Sequence, residues 1–138
     1  MRGEGVKFNI KSQPEFFREV VKRVNNHFKT TKQLKTGNSS MVFKTVFMIA
    51  LYMVPLALIA TQTVTSVWGN MGMWALMGFG MSGIGLSVMH DANHGSYSKT
   101  KWVNSFVGLI INFVGGYHIN WKIQHNVLHH TFTNIHGL

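Results

Sequence analysis

Two long apolar segments dominate the pattern of hydrophobic and polar positions along the 138-residue chain. The first covers residues 45–68, the second covers residues 72–89, and neither contains an Asp, Glu, Lys or Arg. Each is close to the roughly 20 apolar residues that a helix needs to cross a bilayer. Ser39 or Ser40 is predicted to cap the first helix, and the Gly-Asn-Met-Gly stretch that starts at Gly69 predicts the turn. The pattern therefore predicts an all-α integral membrane protein built on a two-crossing hairpin.

The polar residues 1–44 precede this hairpin and contain a helical pattern of their own. Residues 12–29 place apolar side chains at helical spacing, and Ser12 with Glu15 forms a capping box at the predicted start of the helix. The apolar stripe consists of Phe17, Val20, Val21, Val24 and Phe28. We expect this helix to lie on the bilayer or on the rest of the protein, and the alternative is that its cations meet an anionic substrate head. His27 is predicted to be solvated.

The basic residues are confined to a few blocks of the chain. Thirteen Lys and Arg oppose four Asp and Glu, which gives a formal charge of +9, and ten of the thirteen lie between Arg2 and Lys44. Such blocks are typical of a membrane protein whose basic segments stay in the cytoplasm, whereas a nucleic-acid-binding domain would interleave them with its core. The chain has no cysteine, which excludes disulfides and thiolate metal ligands. We therefore predict a membrane protein without a nucleic-acid partner.

The stretch GFGMSG, residues 78–83, matches the Gly-x-Gly-x-x-Gly fingerprint of dinucleotide-binding proteins. No strand pattern precedes it, and it lies inside the second apolar segment, so we exclude a dinucleotide site. Small residues in a membrane helix allow a second helix to pack closely. The glycines are therefore predicted to serve helix packing.

Two groups of histidines follow the hairpin. His90 and His94 share one helix face with Asp91 between them, although for this pair alone a polar loop at a helix end is the more common explanation. The second group repeats the spacing of four residues and adds a third ring; it consists of His125, His129 and His130. Neutral imidazole suits iron, copper, nickel or zinc, and only one carboxylate lies nearby. The two groups together predict a metal site with nitrogen ligands.

The arrangement resembles the first two histidine boxes of the membrane fatty acid desaturases. The stretches HDANHGS (90–96) and WKIQHNVLHHTFTN (121–134) carry the resemblance. It implies two irons at the cytoplasmic face of a four-crossing helical domain. The iron ligands that it implies are His90, His94, His125, His129 and His130. It also suggests three residues that would support those ligands, namely Asp91, Gln124 and Asn126.

The resemblance also implies a reaction and its partners. O2 and two external electrons would introduce a double bond into a long acyl chain carried by coenzyme A, a carrier protein or a lipid. A ferredoxin or a cytochrome b5-like protein would supply the electrons, and we expect a separate protein because residues 1–44 contain no evident haem domain. We expect the membrane to be a bacterial inner membrane. Three features favour it: the chain begins with a simple pair of crossings, it uses methionine often, and no electron-donor domain is fused to it.

The segment between the boxes, residues 102–120, is uncharged and about long enough to cross the membrane once. One crossing would separate the two boxes, so we predict an interfacial or re-entrant helix instead. A polar or small stripe supports this prediction; it consists of Asn104, Gly108, Asn112 and Gly115. The predicted organisation is thus a basic segment over residues 1–44 and a desaturase-like membrane domain over residues 45–138. His118 is predicted to be structural or to lie at headgroup level, and His136 is left undecided.

The chain departs from the family pattern because no third histidine box follows the second. Two irons would need roughly eight ligands, and the boxes supply five. We therefore expect the N-terminal part of a longer protein, inactive by itself, or else a small protein that uses the motif by pairing with another chain. A membrane diiron hydroxylase acting on alkanes or carotenoids stays open as an alternative, as does a non-enzymatic protein that binds metal or haem.

Overall fold

The computed structural model describes residues 14–132, and within that range the chain is helical and contains no strand. We number the α-helices in chain order. Their bounds are α1 Pro14–Thr31, α2 Ser39–Ala60, α3 Val67–Gly83, α4 Met89–Asn93, α5 Lys101–Gly108, α6 His118–Lys122 and α7 His130–Phe132. A π-helical turn, Ile84–Val88, joins α3 to α4, and a second one, Ile123–His129, joins α6 to α7. A 3-10 segment, Leu109–Val114, continues α5.

Helix α1 is the amphipathic helix that the sequence predicts. Its apolar stripe is exposed except at the half-buried Phe28, and Phe17 keeps 66% of its surface accessible. On the polar face, Arg23 Nε donates to Glu19 Oε1 over 2.9 Å. Ser12, the predicted cap, lies outside the described residues. The exposed stripe means that α1 needs an apolar environment beyond the described chain.

Helix α2 begins at Ser39, one residue earlier than a cap at Ser39 would allow. Asn38 caps it, because the Asn38 side-chain oxygen accepts the N–H of Met41 over 3.1 Å. The prediction that Ser39 or Ser40 caps α2 is therefore wrong. Asn38 takes this role because its backbone is extended, while Ser39 is already the first helical residue.

The turn of the hairpin lies earlier than predicted. It occupies residues 61–66, where Gln62 has a left-handed φ of 53° and the Ser66 hydroxyl accepts the N–H of Gly69 over 3.0 Å. The Gly69 turn prediction is wrong because this cap starts α3 at Val67, so Gly69–Gly72 become helical. The second apolar helix then runs for 27 residues to Asn93, or about 40 Å. Both long helices are long and apolar enough to cross a membrane.

Glycines of α3 bring it close to α2. A Cβ added at Gly80 would lie 2.7 Å from the backbone nitrogen of Tyr52, and one at Gly83 would overlap the Met48 side chain. Gly78, the first glycine of the rejected fingerprint, has open space around its Cβ position. The prediction that these glycines serve helix packing is confirmed for two of the three.

A small core holds α4 against α5. It is formed by Val88, Ala92 and Val107, with Tyr97, Val103 and Ile110 packed around it. Buried Asn104 fixes the intervening loop, since its amide accepts from Ser98 N over 2.8 Å and donates to Ser98 O over 2.7 Å.

The predicted single helix over residues 102–120 is interrupted. After the 3-10 segment, Gly115 adopts a left-handed φ of 92°, a conformation that ends a helix. The side chain of Asn112, before Gly115, accepts the N–H of His118, after it, over 3.1 Å. This hydrogen bond closes a turn in the chain. The predicted helix is therefore divided at Gly115, and its interfacial or re-entrant placement stays a prediction.

Candidate metal centre

Local helix geometry determines the orientation of His90 and His94, the two histidines of the first box. His90 lies in α4, one residue after the π-helical turn, and His94 is the residue that caps the end of α4. A π-helical turn contains one more residue than an α-helical turn, so it rotates the following side chains relative to the hairpin. The turn at Ile84–Val88 therefore decides which way the box-1 imidazoles point.

The second box has the same local feature. His125 and His129 belong to the π-helical turn Ile123–His129, and His130 starts α7. The His125 and His129 rings stack at 5.2 Å with an interplanar angle of 30°. The spacing of four residues predicts that His125 and His129 share one helix face. In the π-helical turn their two rings lie nearly parallel.

The two boxes come together at one place. His90, His94 and His125 each offer a ring nitrogen, and these three atoms lie within 4.8 Å of one another. The closest pair, His90 Nε2 and His125 Nε2, is 3.1 Å apart although 35 residues separate them in sequence. Two nitrogens that bind one metal at about 2.1 Å would lie roughly 3 to 3.5 Å apart, so this pair has the right separation.

His130 and His129 complete the cluster. The His130 ring centre lies 4.8 Å from that of His94 and 4.9 Å from that of His125. His129 lies 5.4 Å from His130 between ring centres. The structure therefore brings all five histidines named from the sequence into one cluster, which we call the histidine cluster.

Asp91 orients one member of the histidine cluster. Its Oδ1 accepts a hydrogen bond from His90 Nδ1 over 3.1 Å. A proton on Nδ1 leaves Nε2 of His90 as the lone-pair nitrogen, and that is the nitrogen facing His125. The arrangement is the carboxylate support that metal-binding histidines commonly have.

Trp121 forms a wall of the histidine cluster that the sequence indicates only as a neighbour. Its ring stacks on His125 at 4.4 Å with an angle of 18°, and it approaches His90 edge-on at 5.8 Å and His94 at 6.0 Å. Trp121 lies four residues before His125, and residues i and i+4 meet on one helix face. This spacing was the sequence signal that could have predicted the contact.

A pair of asparagines joins the two boxes behind the histidines. Asn126 Nδ2 donates to the backbone oxygen of Asn93 over 3.3 Å, and Asn93 Nδ2 donates to the backbone oxygen of Gly108 over 3.4 Å. Their side-chain oxygens are buried and accept no hydrogen bond from the described residues.

Asn126 was named from the sequence; Asn93 was missed, although it precedes His94 directly. Gln124, also named from the sequence, is exposed.

The protonation state of the histidine cluster suits a cation. Partial burial lowers the pKa of His94, and the charges of His90 and His130 lower it further, while Asp91 opposes them. Burial also lowers the pKa of His125, again with His90 and His130 contributing. Both rings are therefore neutral near neutral pH, as metal binding requires. The nitrogen donors and their spacing fit a transition metal such as iron.

The remaining histidines lie apart. His118 Nδ1 contacts the Asn112 side chain at 3.2 Å, which favours the predicted structural role. His27 is exposed on α1 beside Phe28. His136 lies outside the described residues.

An apolar cavity of about 210 Å³ lies between α2, the first π-helical turn and the 3-10 segment. Its lining is free of polar surface and consists of Ile49, Tyr52, Met53, Ile84, Ile110, Phe113 and Val114. Ile84 precedes His90 by six residues, or about 9 Å along a helix axis. The cavity is thus an apolar space near the histidine cluster.

Comparisons with known proteins relate most of the chain to fatty acid desaturases. A family model described as fatty acid desaturase matches residues 66–138. An sn-1 linoleoyl-lipid 6-desaturase of Arthrospira platensis is 36% identical over 122 residues, which are 88% of this chain and 33% of that protein. An acyl-lipid (8-3)-desaturase of Physcomitrium patens is 32% identical over 88% of this chain and 25% of its own length. A Synechocystis sn-1 linoleoyl-lipid 6-desaturase is 31% identical over 99% of this chain and 37% of its own.

The chain thus spans between 25% and 37% of the length of these relatives. No solved structure matches it.

Proposed function

Because the chain belongs to the fatty acid desaturase family, we propose that its histidine cluster forms part of the iron centre of an acyl-lipid desaturase. The enzyme would be an oxidoreductase that introduces a double bond into the acyl chain of a membrane lipid. The observation that carries the proposal is the convergence of five imidazoles from two segments that lie 35 residues apart. The acyl-lipid substrate follows the names of the relatives.

The proposed ligands are the members of the histidine cluster. Five nitrogens are fewer than two irons need, so further ligands would come from outside the described residues. When bound, iron supplies the oxidising power that removes hydrogen from an unactivated methylene, using O2 and two electrons from a ferredoxin or cytochrome b5-like protein. The chain's own residues supply position and protonation state.

Three features of the site support this role. Asp91 keeps the proton of His90 on Nδ1, which leaves Nε2 available to bind. Trp121 covers one side of His125 with an apolar face and limits the access of water there. The lowered pKa values of His94 and His125 keep both rings unprotonated, so a metal does not compete with protons at neutral pH.

The apolar cavity is the proposed place for the acyl chain. Its lining offers no hydrogen-bonding group, so a hydrocarbon is the ligand it suits best. Its lining residue Ile84 lies about 9 Å along the helix from His90, so an acyl chain that extends from the cavity toward the histidine cluster would bring a methylene carbon to the metal. We infer that a lipid enters between α2 and the 3-10 segment.

We also propose the placement of the chain in the membrane. Helices α2 and α3 would cross a bacterial inner membrane as a hairpin, because exposed apolar residues such as Phe79 (71% accessible) and Leu86 (79%) need lipid around them. The basic block before α2 favours a cytoplasmic N-terminus. An even number of crossings then puts the histidine cluster on the same side.

The proposed function is tested by expressing the whole protein that the gene encodes in a bacterium and analysing its fatty acids by gas chromatography and mass spectrometry. We expect new unsaturated acids in the lipid fraction. The His125→Ala variant should abolish them and lower iron content, because it removes the imidazole whose Nε2 lies 3.1 Å from His90 Nε2. The matched control, His27→Ala, removes an exposed histidine of α1 and should leave both unchanged.

Other outcomes would contradict the proposal. Hydroxylated products would make the protein a hydroxylase, and a Soret absorption band would indicate haem. Normal products from His125→Ala would show that the histidine cluster does not hold the metal.

A further inference from the structure

A second polar region lies at the start of the hairpin and shares no lining residue with the histidine cluster. Two adjoining cavities of about 420 and 490 Å³ meet there, because Leu34, Thr36 and Lys99 line both. We call this region the basic cleft. Its other lining residues come from the second half of α1, the loop 32–38, the first turn of α2, the loop 95–100 and the first turn of α5.

The basic cleft gathers cations from three parts of the chain. Lys29 belongs to α1, Lys35 to the loop before α2, and Lys99 to the loop that follows the first histidine box. Among the described residues that line the cleft there is no Asp or Glu. Three lysines without a counter-ion create a positive potential that attracts an anion.

The walls of the cleft are already held in place. The Lys35 ammonium donates to the Asn25 side-chain oxygen and lies 5.7 Å from the centre of the Phe28 ring. On the opposite wall, the N–H of Gly37 is directed at Ser96 O (3.1 Å) and Tyr97 O (3.2 Å). A Cβ at Gly37 would lie 2.7 Å from Tyr97 O, so this close approach requires glycine.

A further hydrogen bond fixes the same wall to α2. The Tyr97 hydroxyl lies 2.9 Å from Thr45 Oγ1, and Thr45 is buried. Such preorganisation reduces the ordering cost of binding a ligand.

The chemistry of the lining specifies an amphiphilic anion. Apolar side chains of Phe28, Leu34 and Val42 line the cleft beside the lysines. Phe28, which is half-buried, is also the last residue of the apolar stripe of α1, and Val42 lies in the first turn of the first apolar helix. The cleft therefore lies where the polar part of the chain passes into the part that is apolar enough to enter a membrane.

We propose that the basic cleft binds the headgroup of an anionic phospholipid of the bilayer. Lys29, Lys35 and Lys99 would contact the phosphate, and the acyl chains would run along Leu34 and Val42. The bound lipid would connect α1 to the loop 95–100, which leads directly from His94. This site is independent of the reaction at the histidine cluster.

The test uses the full chain, purified in a neutral detergent and titrated with short-chain phosphatidylglycerol while the thermal unfolding midpoint is recorded. A ligand that binds the folded state raises this midpoint. We expect the Lys35→Gln/Lys99→Gln variant to need about tenfold more lipid for the same rise, since each charge-assisted contact contributes of the order of a factor of a few. Short-chain phosphatidylcholine should give no rise.

Two further variants keep the result interpretable. Lys22→Gln/Lys32→Gln makes the same change in net charge at exposed lysines outside the cleft and should bind like the wild type. Lys35→Arg/Lys99→Arg keeps both charges and should also retain binding. Equal binding by the Gln variant of the cleft would overturn the proposal, as would an equal response to phosphatidylcholine. An identical rise with inorganic phosphate alone would make the cleft a site for free anions instead.

Discussion

At the scale of single residues, the structure brings together the side chains that the sequence singled out, and their metal-binding role stays a prediction. All five histidines named from their spacing lie in one cluster, and Asp91 contacts His90 as expected of a supporting carboxylate. The contacts that Trp121 makes with the first histidine box, and those of Asn93, arose only in three dimensions, because aromatic and amide side chains are common next to any polar site. Their partners are residues of the other box or of α5.

The Asp91→Asn variant should bind iron about tenfold to a hundredfold more weakly, because the amide no longer favours the His90 tautomer with a free Nε2. The measurement is a competition titration of the purified protein against a coloured iron chelator. Glu19→Gln makes the same carboxylate-to-amide change on exposed α1 and serves as the control. Unchanged affinity in Asp91→Asn would show that the hydrogen bond does not support metal binding.

At the scale of helices, composition predicted the elements better than their ends. The apolar segments became α2 and α3, but Asn38 and Ser66 set where these helices begin. Capping depends on one side chain reaching one N–H, and several polar residues near each helix start offered that contact. The two π-helical turns next to the boxes have no signal in the sequence that we could identify.

The close packing of α2 on α3 gives a prediction at this scale. Gly80→Ala should lower stability by about 1 to 3 kcal/mol, because its Cβ would meet the backbone of Tyr52 at 2.7 Å. Gly78→Ala, two residues away on the same helix, has open space and should be neutral or stabilising by up to about 1 kcal/mol. Thermal unfolding in detergent compares them. Equal effects of the two substitutions would mean that α3 does not approach α2 as described.

At the scale of the whole molecule, the hairpin decides which parts of the chain lie at the same end of α2 and α3. Residues 32–38 and the loop 95–100 meet through Gly37 and Tyr97 at one end, and the turn at residues 61–66 forms the other end. The histidine cluster belongs to the first of these ends, since α4 directly precedes the loop 95–100.

The absence of cysteine makes the topology simple to test. Thr65→Cys in the turn should react with a membrane-impermeant maleimide in bacteria whose outer membrane has been permeabilised, whereas Lys32→Cys should react only after the inner membrane is broken. Both positions are exposed in the structure, so burial does not limit the reaction. The reverse pattern would invert the proposed orientation, and labelling of both positions in such cells would argue against a crossing hairpin.

The sequence by itself determined the helical class, the apolar segments, the basic N-terminal block and the identity of the histidines, because each depends on residue type and on spacing within one element. The tertiary structure alone decided that His90 and His125 approach to 3.1 Å and that the segment between the boxes breaks at Gly115. It also created the basic cleft from lysines as distant as Lys29 and Lys99. Contacts between residues so far apart depend on how helices pack and where the chain turns, and no local pattern encodes that geometry.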